Sequence, residues 1–179
     1  MIDVKNSCFF SLLVLYYFLK SVFGLLGCAM NIYQWNKKYS EISNRYNALY
    51  HNVAVHYGFS DCQFKILYRL YVNRAATTQN KLADDFCLSK QTVNSAVMKL
   101  ADMELVELNK GTDAKNSKRV FLTDKGLNIC RNSIEPLIDA ENSALGKMDD
   151  EQLQRFLELF ELQYTIFEKE INRLIREEK

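Results

Sequence analysis

The sequence has almost no proline, since Pro136 is the only one among 179 residues. It also lacks a large excess of charge, because 23 lysines and arginines stand against 22 aspartates and glutamates, a net charge of +1. Total charge therefore does not indicate a nucleic-acid partner, and only a local basic patch could do so. With 48% hydrophobic residues, the chain is expected to be a mostly helical globular protein, either one domain or one domain with an appendage.

The sequence also lacks the cysteine spacing of a disulfide framework or a zinc site. Its cysteines are odd in number, widely scattered and without a C-x-x-C pair, which favours reduced thiols in a cytoplasmic protein. No nucleophile motif, phosphate-binding loop or metal-spaced cluster is present, so no enzymatic activity, cofactor or metal ion is expected. The five cysteines are Cys8, Cys28, Cys62, Cys87 and Cys130.

Residues 1–29 form a hydrophobic leader that differs from the rest of the chain. The sequence from Cys8 to Met30 is almost unbroken and apolar, which is long enough for a helix to cross a bilayer. Lys20 lies near its middle, where a lysine costs roughly 2.5–3.5 kcal/mol on insertion. The favoured explanation is an upstream extension of a protein that starts at Met30. A membrane anchor and a hydrophobic helix packed on a dimer are the alternatives.

Two stretches of apolar residues, spaced alternately by three and four, predict long terminal helices at about residues 31–57 and 124–176. Such seams fit an intrachain helix pair or a dimer interface, and their length favours the dimer. The N-terminal seam consists of Ile32, Trp35, Tyr39, Ile42, Tyr46, Leu49 and Val53, and the C-terminal seam of Leu153, Phe156, Leu157, Phe160, Tyr164, Phe167, Ile171 and Leu174.

Short polar residues predict the starts of three helices between the terminal seams. Ser60 and Gln63 form a capping box, Thr77 or Thr78 caps a short helix, and Ser89 caps the helix that follows. In this last helix, Val93, Ala96, Val97 and Leu100 form the predicted buried side. The segment therefore predicts a helix-turn-helix.

The opposite side of that last helix is polar and lacks acidic residues. At 100° per residue, it presents Gln91, Asn94, Ser95, Met98 and Lys99. Lys90 lies at the helix N-terminus, which suits a phosphate group. An ordinary solvated surface helix would usually carry Glu or Asp, so the pattern favours contact with the edges of DNA bases.

A basic hairpin is predicted directly after this helix. The runs 105–108 and 119–122 are prone to form β-strands, and the segment between them is rich in Gly, Asn, Ser and Asp. From 110 to 119 the sequence contains Lys110, Lys115, Lys118 and Arg119 against the single acid Asp113. A solvated loop can have this composition, but its position favours contact with the phosphate backbone or the minor groove.

In order and spacing, these motifs resemble the multiple-antibiotic-resistance regulator (MarR) family of bacterial transcription factors. The resemblance covers about residues 31–176. It implies a mainly α fold with a small β-wing, in which a winged helix-turn-helix at about 60–123 is flanked by long dimerisation helices. The matching runs are Thr78-Gln79-x-x-Leu82-Ala83, Ser89-Lys90-x-Thr92-Val93 and Leu122-Thr123-x-Lys125-Gly126.

The resemblance implies a homodimer that binds a pseudo-palindromic operator on double-stranded DNA as a repressor. It also implies release from DNA by a small phenolic or other apolar effector, or by an oxidant. The expected DNA-binding residues are Ser89, Lys90, Gln91, Thr92, Asn94, Ser95, Lys99, Lys110, Lys115, Lys118 and Arg119. Tyr46, Tyr50, His51 and Phe64 are the expected effector-binding residues, although aromatic side chains at such positions are more often plain core.

The wing departs from the family pattern at one pair of residues, and the sequence allows alternatives for the role of Cys62 and for the function. Asp113-x-Lys115 stands where the family commonly has Asp-x-Arg, and lysine lacks the planar fork of arginine. Cys62, at a helix N-terminus, would sense oxidants if its pKa were lowered, but a buried and inert thiol is favoured. The alternative functions are a winged-helix module that binds proteins and not DNA, and a membrane-tethered regulator.

Overall fold

The computed structural model describes residues 31–110 and 118–177, so the leader predicted at residues 1–29 lies outside the described residues. Residues 48–146 form one compact unit, and the flanking segments belong to a second unit. In chain order the elements are α1 (Ile32–His56), α2 (Asp61–Asn73), β1 (Thr77–Thr78), α3 (Gln79–Phe86), α4 (Lys90–Asp102), β2 (Val106–Lys110), β3 (Lys118–Leu122), α5 (Asp124–Leu145) and α6 (Asp150–Glu177). This arrangement confirms the predicted fold class, mainly α with a small sheet.

Helix α2 lies at the centre of the unit formed by residues 48–146, hereafter the head. It packs against α4, α5 and β3, because Ile66 and Leu67 are fully buried on its inner side. Burying such a side chain stabilises the fold by about 1.5–3 kcal/mol. The same core contains Leu82, Val93, Val97, Leu100, Leu105, Val120, Cys130 and Ile134, all 2% exposed or less.

The three predicted helix caps are present. Ser60 and Gln63 form the reciprocal capping box at the start of α2. The Thr78 hydroxyl accepts the amide of Lys81 at 3.1 Å, so Thr78, and not Thr77, is the cap of α3. The Ser89 hydroxyl accepts the amide of Thr92 at 3.1 Å at the start of α4. Each cap satisfies an amide that the helix leaves without a partner, which contributes about 1 kcal/mol.

The sheet is antiparallel, with strands in the order β1-β3-β2. The hairpin was predicted, but the two-residue strand β1 was not. Thr77 pairs with Val120 and Thr78 with Arg119, so this segment ties the wing to the helix-turn-helix. The first hairpin strand begins at Val106 and not at Leu105, because the Leu105 carbonyl accepts the amide of Thr123 at 3.1 Å and closes the base of the hairpin.

The C-terminal helix α6 belongs to the second unit and buries none of its residues. Half of its predicted seam is exposed, with Phe156 at 59%, Phe160 at 54% and Tyr164 at 56%, and the other half is half-buried. Phe156 and Phe160 stack with ring centroids 6.1 Å apart. The first half of α1 has the same character, since Tyr39, Ile42 and Tyr46 are exposed there. Within the described residues, no helix is long and apolar enough to cross a membrane.

Gly126 allows close contact between α5 and the base of the wing. It is buried, and its amide donates to the Thr123 hydroxyl at 2.9 Å. A Cβ atom at this position would overlap the Leu105 carbonyl oxygen and would lie 3.2 Å from Leu122 Cδ2. Helix α5 can therefore start directly behind the wing only with glycine here.

We predict that Gly126→Ala lowers the free energy of unfolding by at least roughly 2 kcal/mol, because backbone must move to admit the methyl group. Urea unfolding followed by circular dichroism measures the loss. The matched control is Asn128→Ala, two residues along on the exposed side of α5, which should stay within about 0.5 kcal/mol of the original protein. Equal stability of the two variants would contradict the packing argument.

Candidate nucleic-acid interface

The packing of α4 leaves one polar face of the helix exposed. Val93, Ala96, Val97 and Leu100 are its buried residues, as the sequence predicted. The predicted polar face is exposed, and it contains Gln91, Asn94, Ser95, Met98 and Lys99. From 90 to 101 the helix contains no acidic residue, so negative charge does not oppose the approach of a polyanion to this surface.

The N-terminus of α4 lies at the edge of the same surface. Ser89 and Thr92 share a hydroxyl–hydroxyl hydrogen bond of 2.7 Å, and the first turn contains Lys90 but no acid. A helix N-terminus has a partial positive charge of about half an elementary charge. Together with Lys90, that charge favours a phosphate group beside the exposed face.

A tight turn between α3 and α4 sets the angle of the helix pair. Cys87 ends α3 in the left-handed conformation, with φ of 51°. The following amide, that of Leu88, donates to the Ala83 carbonyl at 3.0 Å. Ala83 is buried, and its small side chain allows the two helices to cross closely. The turn thus fixes α4 relative to α3 through backbone contacts.

Asp85 anchors α3 to α2 by a pair of charged contacts. Its carboxylate accepts from Lys81 on the same helix and from Arg69 on α2. The hydrogen bond from Lys81, followed by that from Arg69, holds the pKa of the Asp85 carboxyl below its usual value. The Asp85 carboxylate is thus stabilised in its charged form, and with it the contact between the helix-turn-helix and α2.

The wing places basic residues near the end of the hairpin. Lys118 and Arg119 lie exposed on β3, where Arg119 pairs with Asn109 on β2 and with Thr78 on β1. Lys110 is the last residue of β2 and pairs with Lys118. Lys115 lies outside the described residues. The backbone therefore puts three of the four predicted basic wing residues at one end of the sheet.

The predicted effector residues do not share one environment. Phe64 is 4% exposed and belongs to the core, between Tyr57 and Phe59. The Tyr50 hydroxyl donates to Glu141 at 2.7 Å, whereas His51 Nδ1 lies 2.8 Å from the Asp61 carboxylate. The Phe64 ring thus packs against other core side chains of the head. Tyr46 lies in the second unit, 59% exposed.

His51 instead lines a cleft that the sequence did not reveal. This open cleft of about 700 Å³ lies between the end of α1, the start of α2 and α4, and is hereafter the α4 cleft. It is formed by residues distant in sequence, which explains why local patterns do not indicate it. Its lining includes His51, Asp61, Cys62, Gln91, Ser95 and Lys99.

Two thiols of the head, those of Cys62 and Cys130, are not activated. Burial raises the pKa of the Cys62 thiol, and the nearby positive charge of Lys65 offsets only part of the effect. Burial also raises the pKa of the Cys130 thiol, to about 12. Since the thiolate is the reactive form, neither cysteine has the character of an oxidant sensor. For Cys62 this agrees with the favoured interpretation of an inert thiol.

The element order, the three-stranded sheet and the exposed polar face of α4 define a winged helix-turn-helix protein. Residues 59–116 match the family model of the MarR family. This match confirms the resemblance identified from the sequence. The matched residues run from just before α2 to residue 116, and so include α2, β1, α3, α4 and β2 but not β3.

Solved structures share the fold over most of their length. NMB1585, a MarR family regulator from Neisseria meningitidis, superposes with a TM-score of 0.64 at 19% identity, covering 76% of this chain and 96% of that chain. A MarR transcriptional regulator from Methanosarcina mazei Go1 gives 0.58 at 26% identity, covering 76% and 98%. MepR from Staphylococcus aureus, solved as a DNA complex, gives 0.63 at 16% identity, covering 76% and 99%. No curated protein sequence matches the chain.

We predict that Asp85→Asn makes the head less stable at neutral pH and that this difference disappears in acid. Because the folded pKa of Asp85 is lowered, its contribution is present above the ordinary carboxyl pKa of about 3.9 and is lost as the pH falls through the folded value. Urea midpoints of both proteins from pH 7 to pH 2.5 measure the effect. A difference that persists unchanged to pH 2.5 would contradict the charged contact.

Proposed function

We propose that this protein is a cytoplasmic transcription regulator that binds a specific sequence of duplex DNA through α4 and the wing. The observation that carries the proposal is the polar, acid-free face of α4 on a MarR domain. Side-chain amides such as those of Gln91 and Asn94 match the paired donor and acceptor of adenine in the major groove. The proposal is of a binding protein and not of an enzyme.

The roles of the other expected residues follow from where they lie. Ser89, Lys90 and Thr92 surround the N-terminus of α4, which suits a phosphate on one side of the groove. Lys118 and Arg119 lie on the wing, where contacts with phosphates strengthen binding to any sequence. Lys110 and Lys115 belong to the same proposed wing contact. Ser95 and Lys99 complete the face of α4.

We propose that the functional form is a homodimer joined by the terminal helices. Helix α6 has 28 residues, and none of them is buried against the part of the chain that the structure describes. The exposed part of its apolar seam therefore offers a surface to a second chain. A second copy of the chain would cover the seam and would present two copies of α4 to DNA. The expected operator is then pseudo-palindromic, with half-sites about one helical turn apart.

Repression with release by a small molecule is the form of regulation that the arrangement favours. The α4 cleft lies directly beside Gln91, Ser95 and Lys99, so an effector bound there would alter the surface that contacts the bases. Release by oxidation of Cys62 or Cys130 has less support, because the pKa of each thiol is raised. An apolar or phenolic effector suits the cleft, which also contains Val55 and Phe59.

We predict that selection from random duplex DNA by the full-length protein recovers an inverted repeat, and that binding weakens steeply with salt. Replacing both Gln91 and Asn94 by alanine should abolish the enrichment, since each good base contact contributes about 1–3 kcal/mol of discrimination. Replacing both Lys118 and Arg119 by alanine should weaken binding to all sequences and flatten the salt dependence. Sequencing of bound sites and fluorescence anisotropy measure these effects.

Two double variants of α6 test whether binding to the inverted repeat requires the proposed dimer. Phe156→Glu with Phe160→Glu places charges in the seam and should give a monomer that binds only single half-sites weakly. Glu158→Gln with Lys169→Gln, on the opposite face of α6, should leave the inverted repeat unchanged. Flat, weak binding with no enriched sequence by the unaltered protein would instead favour a winged-helix module for a protein partner. Recovery only from a membrane fraction would favour the tethered regulator.

A further inference from the structure

The carboxylate of Glu141 joins three helices of the head. Glu141 lies on α5, and its two oxygens accept two different tyrosine hydroxyls. One is that of Tyr50 on α1, at 2.7 Å, and the other is that of Tyr68 on α2, at 2.9 Å. Hydrogen bonds to a charged acceptor are stronger than those between neutral groups. These three side chains are hereafter the Glu141 clamp.

The Glu141 clamp lies where the chain enters and leaves the head. The head comprises residues 48–146, so Tyr50 is close to its start and Glu141 is close to its end. From 139 to 146, Glu141 is the one residue that is not exposed, and every residue from 48 to 52 is exposed. Apolar packing therefore contributes little to holding these two segments. Side-chain hydrogen bonds, those of the clamp and that of His51 with Asp61, hold them instead.

The last part of α5 is also less firmly connected to the rest of the helix. Pro136 lies inside α5, and a proline there lacks the amide that would bond to the carbonyl four residues earlier. The Ser133 hydroxyl donates to the carbonyl of Ile129 at 2.8 Å, a contact that favours bending of a helix. Within α5, Ile138 is the last apolar residue packed against the core. Beyond it, the direction of the helix end depends on Glu141.

A second tyrosine–glutamate pair in the head provides a comparison. Tyr71 on α2 donates to the carboxylate of Glu135 on α5, just before Pro136. This pair joins α2 to α5 through the same kinds of group as the Glu141 clamp. It does not include α1, and it does not hold the part of α5 that follows the proline.

We propose that the Glu141 clamp fixes the paths of α1 and α5 at the boundary of the head, and that it thereby restricts the spacing between half-sites that the homodimer accepts. Tyr50 and Glu141 are then positioning residues, because neither lies on the exposed face of α4 or on the wing. Fixed paths hold two copies of α4 at one separation, which the half-site spacing must match. The proposal rests on the proposed function, since it concerns how far apart the half-sites lie and not how each is recognised.

The test compares two operators that differ only in spacing. Fluorescence anisotropy measures binding of the full-length protein to the selected inverted repeat and to the same repeat with two base pairs added between its half-sites. The unaltered protein should prefer the original spacing at least about tenfold, because the added base pairs shift and rotate one half-site relative to the other. In Tyr50→Phe and in Glu141→Ala this preference should fall below about threefold, while the affinity for a single half-site stays within about twofold, since the phosphate and base contacts are unchanged.

The second pair supplies the matched controls. Tyr71→Phe and Glu135→Ala remove the same groups from a contact that does not include α1, so both variants should keep the full preference for the original spacing. Tyr50→Phe combined with Glu141→Ala should behave like Glu141→Ala alone, because the Tyr50 hydroxyl has already lost its partner.

Hydrogen exchange in the absence of DNA tests the clamp itself. In Tyr50→Phe and in Glu141→Ala, the amides of residues 139–145 should exchange at least about threefold faster than in the unaltered protein, because the end of α5 opens more easily. Tyr71→Phe should leave this rate unchanged. Mass spectrometry of peptides from the full-length protein measures the rates.

The results separate this proposal from the proposed function. If the unaltered protein selects no inverted repeat and binds no half-site, the proposed function fails and the spacing role fails with it. If the repeat is recovered, the proposal alone is overturned by any of three results. These are equal binding of both spacings by the unaltered protein, a spacing preference that survives Tyr50→Phe and Glu141→Ala or is lost equally in Tyr71→Phe, and unchanged exchange at the end of α5.

Discussion

The burial of one side of α4 is the constraint on which the rest of the structure depends. Val93, Val97 and Leu100 are fully excluded from water, and rotating the helix to expose them would cost several kcal/mol. The rotation of α4 is therefore fixed by hydrophobic packing and not by its polar residues. Gln91 and Asn94 lie on the exposed face and take no part in this packing. Their side-chain amides can therefore form hydrogen bonds with a partner.

Helix α2 connects this constraint with the remainder of the head. It packs on α4 and α5, and two of its half-buried tyrosines, Tyr68 and Tyr71, donate to Glu141 and Glu135 on α5. The α4 cleft opens at the N-terminal end of α2. A ligand in this cleft would thus contact α2 together with α4 of the proposed DNA-binding surface.

Local chemistry explains which features could be predicted from the sequence. The caps at Ser60 and Ser89 depend on residues three positions apart, and the exposed face of α4 depends on its period alone, so both were predicted. Strand β1 depends on pairing with β3, which is distant in sequence, so local patterns do not show it. The α4 cleft brings together residues separated by up to 48 positions, from His51 to Lys99, and was missed for the same reason.

The most direct test of the account is a base-by-base affinity scan of the selected operator with Asn94→Ala and, separately, Lys118→Ala. The account predicts that Asn94→Ala removes the base preference at one symmetric pair of positions, a change of about 1–3 kcal/mol, and leaves the other positions intact. Lys118→Ala should lower the affinity for every sequence by a similar factor. If Asn94→Ala lowers affinity uniformly and leaves all base preferences unchanged, α4 does not read the bases and the central claim is wrong.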